Sequence, residues 1–299
     1  MEPRCCALSS TDPPRWPPPC ARPTTEAVGR LLILSLSLAC WSLDRLTGGL
    51  RRLLGRPCSP TGIVLFYHAV PPQHRAAFAA QMDRLQRWST PVHCDFTGPF
   101  TAGEYYSAVT FDDAFQSVVD EALPELEERG IPTTIFAPSG ALDGPPPWPM
   151  LAECPDSSET IVQAETLARI QSPLVKIGSH TVNHARLPEV PVEQARSEIS
   201  DSRTTLERVL GTPVTTLAFP YGAHDEQTLE LCRAAGYEHV FTILPLPAFP
   251  SRDPFVVGRV GVDPWDSPLE FRLKAQGAYR WRPWAARIKR ALRPGGARS

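Results

Sequence analysis

The sequence predicts an α/β fold, and three observations carry that expectation. Short apolar runs with strand character alternate with stretches of helical periodicity along most of the chain. The polar clusters with chemical character follow those runs directly, where α/β folds place their chemistry. A length of 299 residues with 42% hydrophobic content suffices for one sizeable core of the kind that a barrel of alternating strands and helices fills. No repeat at solenoid periods competes with this reading.

Taken in order, Met1 to Arg22 is rich in Pro, Arg and Cys and reads as disordered or as a wrongly chosen start. Leu31 to Leu43 is apolar but only thirteen residues long, short for a bilayer span and closer to a signal or interfacial segment. Residues 1–56 are therefore set apart as a disordered or targeting and interfacial segment. Ile63 to Phe66 is the first strand, followed by Tyr67 and His68. Ala108 to Phe111 is a second, and Ala114 to Arg129 carries helical spacing through Val118, Val119, Ala122, Leu123 and Leu126. After a strand at Thr133 to Phe136, the Pro-rich stretch 143–158 with Trp148 inside it reads as a loop near the rim of a site. Val175 to Ile177 and Thr215 to Phe219 are strands, and a helix between them opens after Pro191 and stops at Gly211. Asp225 caps a helix that closes at Gly236, and Phe255 to Val262 is a late strand. The domain runs over 57–279, and 280–299 is a basic tail.

Three clusters bear chemistry: the pair Asp112-Asp113 closing an apolar strand, His180 and His184 four residues apart after another, and the turn Pro220-Tyr221-Gly222. A hydrolytic metal needs a few N/O ligands, an open position for water and an unligated base beside it. Two imidazoles and one carboxylate supply the ligands, which leaves the second carboxylate as base. If the chain is still extended at the Asp pair, adjacent side chains diverge and the two roles separate. The spacing of four puts both imidazoles on one side of a helical turn.

These motifs resemble the polysaccharide deacetylases with a NodB-homology domain, carbohydrate esterase family 4. Thr110 to Asp113 matches the Thr-Phe-Asp-Asp-Gly motif with Ala114 in the last place, and His180 to His184 matches His-Ser/Thr-x-x-His in full. Pro220 to Gly222 keeps the Pro-Tyr-Gly of a third motif, whose Arg is replaced by Ala218. Ile63 to His68 resembles the opening strand of the poly-N-acetylglucosamine deacetylase branch. The resemblance, running from about Gly62 to about Ala278, implies a distorted (β/α) barrel of the NodB-homology type. It further implies Asp112 as general base, Asp113, His180 and His184 as ligands of a divalent metal ion of Zn²⁺ type, and the Tyr221 N–H as oxyanion donor. No copy of the family's Leu-x-His motif is present, so His68 becomes the general acid candidate, with His224 and His239 as rivals. Arg259 is a candidate replacement for the missing guanidinium, and it joins Trp148 among the substrate-binding candidates. The implied activity is metal-dependent hydrolysis of N-acetyl, in preference to O-acetyl, groups on an oligo- or polysaccharide, with an Asp base and a metal-bound water. An amidohydrolase for a small non-sugar amide and a catalytically silent glycan-binding protein are the alternatives.

Charge is uneven. Residues 1–56 carry +4, residues 280–299 carry +7 and the middle carries −13 of the net −2. An acidic domain repels phosphates, which argues against nucleic acid as partner. The basic ends, with Trp281 and Trp284, suit peripheral contact with an anionic membrane, and a cell-envelope or membrane-associated location is favoured over the cytoplasm. The eight scattered cysteines include no Cys-x-x-Cys and favour reduced thiols.

Overall fold

In the computed structural model, which describes residues 26–285 apart from 57, 151–153 and 252, the expected alternation closes into a ring. The readings of Met1 to Arg22 and of the tail beyond residue 285 lie largely outside the described residues. The strands are β1 (Thr61–Tyr67), β2 (Thr90–Pro91), β3 (Tyr105–Phe111), β4 (Thr133–Ala137), β5 (Val175–Ser179), β6 (Thr216–Ala218), β7 (His239–Phe241), β8 (Val256–Val257) and β9 (Arg259–Gly261). The helices are α1 (Glu26–Leu53), α2 (Arg75–Trp88), α3 (Leu123–Glu128), α4 (Ala164–Ile170), α5 (Val192–Leu210), α6 (Glu226–Ala234) and α7 (Pro268–Ala275).

Every strand pairing is parallel, in the order β8-β7-β6-β5-β4-β3-β1-β9. β8 and β9 are two halves of one segment broken at Gly258, so the order returns on itself as a distorted (β/α) barrel. The break has a steric cause: a Cβ on Gly258 would stand 2.4 Å from the Leu244 carbonyl oxygen, so only glycine lets the two backbones approach. Side chains alternate across the barrel wall. Ile63, Leu65 and Tyr67 of β1 face the helical layer, while Val64 joins Ala108, Phe136, Ala218 and Phe241 in the interior.

Most expected elements occur where their patterns lie, α5 between Pro191 and a left-handed Gly211 (φ 67°), and α6 behind a capping box of Asp225 and Thr228. Three readings change. The helix expected from Ala114 starts late, because Asp113 and Ala114 take φ of 68° and 54° and a π turn over Val118–Ala122 precedes α3. β7 was unmarked in the sequence, where three residues are too few for an alternation to register. The apolar run beginning at Leu31 belongs to a helix of 28 residues, of which Gly29–Leu53 is long and apolar enough to cross a membrane. Arg45, Gly48 and Gly49 interrupt the hydrophobic pattern but not the backbone ladder. Cys40, Cys58, Cys94 and Cys232 are free thiols as expected, whereas Cys154 is disulfide-bonded.

Candidate active site

The parallel register builds the site from strand ends. Tyr67 of β1 is level with Phe111 of β3, and the Asp112 N–H donates to the Tyr67 carbonyl at 2.9 Å, so His68 and Asp112 leave the barrel side by side. Ser179 of β5 pairs with Leu217 of β6, which brings His180 beside the strand that leads to Tyr221. One of each pair of ligand atoms on Asp113, His180 and His184 lies within 4.8 Å of the others, and all three residues are buried. His180 Nε2 and His184 Nε2 stand 3.6 and 3.3 Å from Asp113 Oδ1.

The backbone at these residues is not the one expected. Asp113 is left-handed rather than extended, so the two carboxylates diverge through a turn instead of a pleat. His180 to His184 forms a loop rather than a helical turn, with Thr181 at φ 64° and His184 at φ 57°. Tyr221 is left-handed too, at φ 58°. Such conformations cost on the order of 1–3 kcal/mol each and persist where the surroundings over-determine them. Here Glu198 of α5 helps to hold the His loop: its carboxylate accepts from Val182 N, Asn183 N and Asn183 Nδ2 at 2.9, 2.8 and 2.7 Å. Sequence reasoning missed it. The signal was an acid on the otherwise small and apolar inner face of α5, with Ala195, Ile199, Ser202 and Leu206.

Protonation states follow from burial and neighbours. His180 Nδ1 lies 2.8 Å from the Ala218 carbonyl, to which it can only donate, which leaves the Nε2 lone pair free toward Asp113. Burial lowers the His180 pKa to about 4 and lowers that of His184 well below the usual histidine value. Both rings are therefore neutral near pH 7, as ligands must be. Burial, with Asp112 and Asp156 nearby, raises the Asp113 carboxyl to about 7. Its Oδ1 is buried without a hydrogen-bond partner, a costly state that a cation between the two imidazoles would relieve. An orphaned carboxylate oxygen facing two neutral imidazoles is a donor set that fits a borderline-soft divalent ion. His184 Nδ1 also lacks a partner, and the ring is held by stacking on Trp148 at 4.0 Å and by the edge contact of Tyr221 at 4.6 Å.

Asp112 has a different environment. Arg259, fully buried, holds it in a fork of two bonds, Nη1 to Oδ1 at 2.7 Å and Nη2 to Oδ2 at 2.8 Å. The guanidinium also donates to the Thr242 carbonyl and Thr110 Oγ1, and it stacks over Phe66 and Phe136. Burial alone would raise the Asp112 pKa, but Arg259 and His180 reverse the direction and keep it below the usual carboxylate value. His68 is half-buried at the mouth; burial opposes its charge, yet the field of Asp113, Asp156, Asp112 and Asp263 raises its pKa above the ordinary value. Of the rivals, His224 is engaged with the Gly222 carbonyl at 2.9 Å, and His239 opens β7 at the opposite end of the barrel.

Comparison with known proteins gives the same fold, and part of the chain matches a family model. Residues 101–240 match the polysaccharide deacetylase family model. The chain is 26% identical over 171 residues to the putative polysaccharide deacetylase YxkH of Bacillus subtilis (strain 168), a match that covers 57% of this chain and about half, 54%, of that relative. It is similar to IcaB from Ammonifex degensii, at TM-score 0.59 and 25% identity over 74% of this chain and 98% of that one. The Streptococcus pyogenes deacetylase PplD in complex with acetate shares the fold, at TM-score 0.59 and 18% identity over 72% and 98% of the two chains.

Proposed function

We propose that this chain, whose residues 101–240 match the polysaccharide deacetylase family model, removes N-acetyl groups, in preference to O-acetyl groups, from a glycan. The observation that carries the proposal is the convergence of Asp113, His180 and His184 on one point beside an Asp112 whose charge Arg259 maintains. The catalytic unit is residues 57–279, in a cell-envelope or membrane-associated protein. A divalent ion of zinc type, held by Asp113, His180 and His184, would supply Lewis acidity toward a water and toward the acetyl carbonyl. Asp112, ionised throughout the neutral range, accepts the proton of the attacking water. The Tyr221 N–H, presented by its left-handed turn, donates to the carbonyl oxygen as charge develops there. His68, whose pKa burial lowers and the neighbouring carboxylates raise on balance, gives its proton to the leaving amine. Arg259 acts through Asp112 rather than on substrate, since its side chain has no exposed surface. Trp148 remains the aromatic wall against which the C–H face of a sugar ring would pack.

The motif's missing Arg at Ala218 favours a silent protein only if nothing replaces it, and the fork from β9 supports the catalytic reading. The test is acetate release from N-acetylglucosamine oligomers, screened beside simple amides, with metal analysis of the same preparation. About one ion per chain is expected, lost in His180→Ala/His184→Ala. His68→Ala should keep the ion, lose about 10²–10⁴-fold in kcat on the amide and lose less on an ester with a good leaving group. Full occupancy in the double variant, or equal impairment of His68→Ala on both substrates, contradicts the assignments.

A further inference from the structure

The helix α1 turns an apolar face outward. The face that contacts the domain carries polar contacts among its apolar ones: Ser37 accepts from Trp281 Nε1 at 3.0 Å, Trp41 Nε1 donates to Gln276 at 2.5 Å, and Asp44 accepts the Arg280 fork at 2.5 and 2.6 Å. Arg30 pairs with Glu270 at the other end. Ile33, Leu34 and Trp41 pack on Leu273, Ala278 and Tyr279. The opposite face is a stripe of Leu32, Leu36, Leu43, Leu46 and Leu50 at helical spacing, between 50% and 72% exposed. A soluble helix orders its faces the other way round.

Charge identifies what covers the stripe. Between residues 27 and 56 the chain has five arginines, Arg30, Arg45, Arg51, Arg52 and Arg56, and one acid, Asp44, which is already paired. Where α1 ends, Arg52 and Arg56 line an open cleft of about 400 Å³ with Gly55, Cys58, Ala102 and Gly103. Trp284, 66% exposed, follows the Trp281 that contacts α1. Leucines on one face, arginines at the flanks and an aromatic beside them are the composition of a helix lying in a lipid interface. A second copy would bring together the arginines at the C-terminal end of α1, Arg51, Arg52 and Arg56. Contacts from Arg30 to Arg45 occupy about 22 Å of helix at 1.5 Å per residue, so a docked α1 lies along the domain and does not cross a bilayer.

We infer that α1 is an in-plane membrane-binding helix, docked on α7, that seats its leucine stripe among acyl chains and its C-terminal arginines on anionic lipid phosphates. This surface is separate from the catalytic strand ends, and its test reads lipid, not turnover. The full chain is mixed with vesicles of phosphatidylcholine alone or with phosphatidylglycerol, and bound protein is measured by sedimentation. Binding to mixed vesicles, weakened by salt and released by alkaline carbonate, is expected. Leu36→Gln/Leu43→Gln/Leu46→Gln, on an exposed face, should keep the wild-type melting temperature and bind at least about tenfold more weakly. Arg52→Gln/Arg56→Gln should lose the preference for phosphatidylglycerol while keeping residual binding. Retention after carbonate treatment would mean that α1 leaves α7 and spans, and overturns the inference. So would a dimer in solution that the leucine variant dissociates while vesicles bind neither protein.

Discussion

Asp112 and Asp113 are neighbours in the chain with opposite electrostatics. One is held ionised by a buried fork, the other is left with an orphaned oxygen between two imidazoles. Asp112→Asn should keep the metal and lose about 10²–10⁴-fold in kcat, whereas Asp113→Asn should weaken metal binding first; equal loss of metal in both would break the division of roles. Breaking a buried pair costs more than the pair contributes, because the survivor is an uncompensated charge. Arg259→Met should therefore destabilise by about 3–5 kcal/mol, and adding Asp112→Asn should restore much of that loss in urea melts. A double variant no more stable than Arg259→Met would assign the arginine a packing role instead. At the proposed metal site, proton and metal would compete for Asp113. Its carboxyl, raised to about 7 by burial and by Asp112 and Asp156, is ionised above that pH and protonated below it. Metal affinity should then be full above about 7 and fall about tenfold per pH unit as the pH drops, until His180 adds its own protonation near 4. Chelator competition measures this, and an affinity flat from about pH 7 down to about pH 5 would refute it.

At the scale of the element, α5 does two things with one helix. Its apolar positions pack the outside of the barrel, and Glu198 among them satisfies three donors of the loop that carries His180 and His184. Glu198→Ala should lower metal affinity about 10–100-fold, the usual effect of losing a residue that orients ligands. Its cost in stability should be about 1–3 kcal/mol for stranded buried donors. Glu198→Gln, which keeps one acceptor oxygen, should recover part of both in metal titration and thermal melts. Unchanged metal affinity in the Ala variant would show that the loop holds its shape without the helix.

For the whole molecule, closure rests on one short segment. β8 bonds to β7 and β9 bonds to β1, so Val256 to Gly261 joins the two edges of the sheet and also delivers Arg259 to the interior. Gly258→Val would drive its side chain into the Leu244 backbone, 2.4 Å from where a Cβ would sit. It should destabilise by at least about 1–3 kcal/mol, the range for overpacking, and lower turnover together with stability because the Asp112 fork shifts with the seam. A variant with wild-type melting temperature would show that β8 and β9 can separate without opening the barrel.

The alternation of strands and helices, the caps of α5 and α6, and the candidate site residues that the structure brings together were legible in the sequence. Periodicity, capping chemistry and ligand types are local properties, and Asp112, Asp113, His180, His184 and Tyr221 announce themselves by type and spacing. The left-handed turns were not legible, because Asp113, His184 and Tyr221 carry side chains that ordinarily avoid them and adopt them only when packing compels it. The partner of Asp112 was legible only as a candidate: Arg259 stood in for the missing motif arginine and does hold Asp112, but it lies 147 residues away, and no local pattern distinguishes a surface arginine from one that reaches across a barrel. Glu198 and the orientation of α1 belong to the same class, since a side chain's partner across long sequence separations exists only once the chain has closed. The sequence determined which groups could act; the parallel register, by bringing distant strand ends to one level, decided which of them meet.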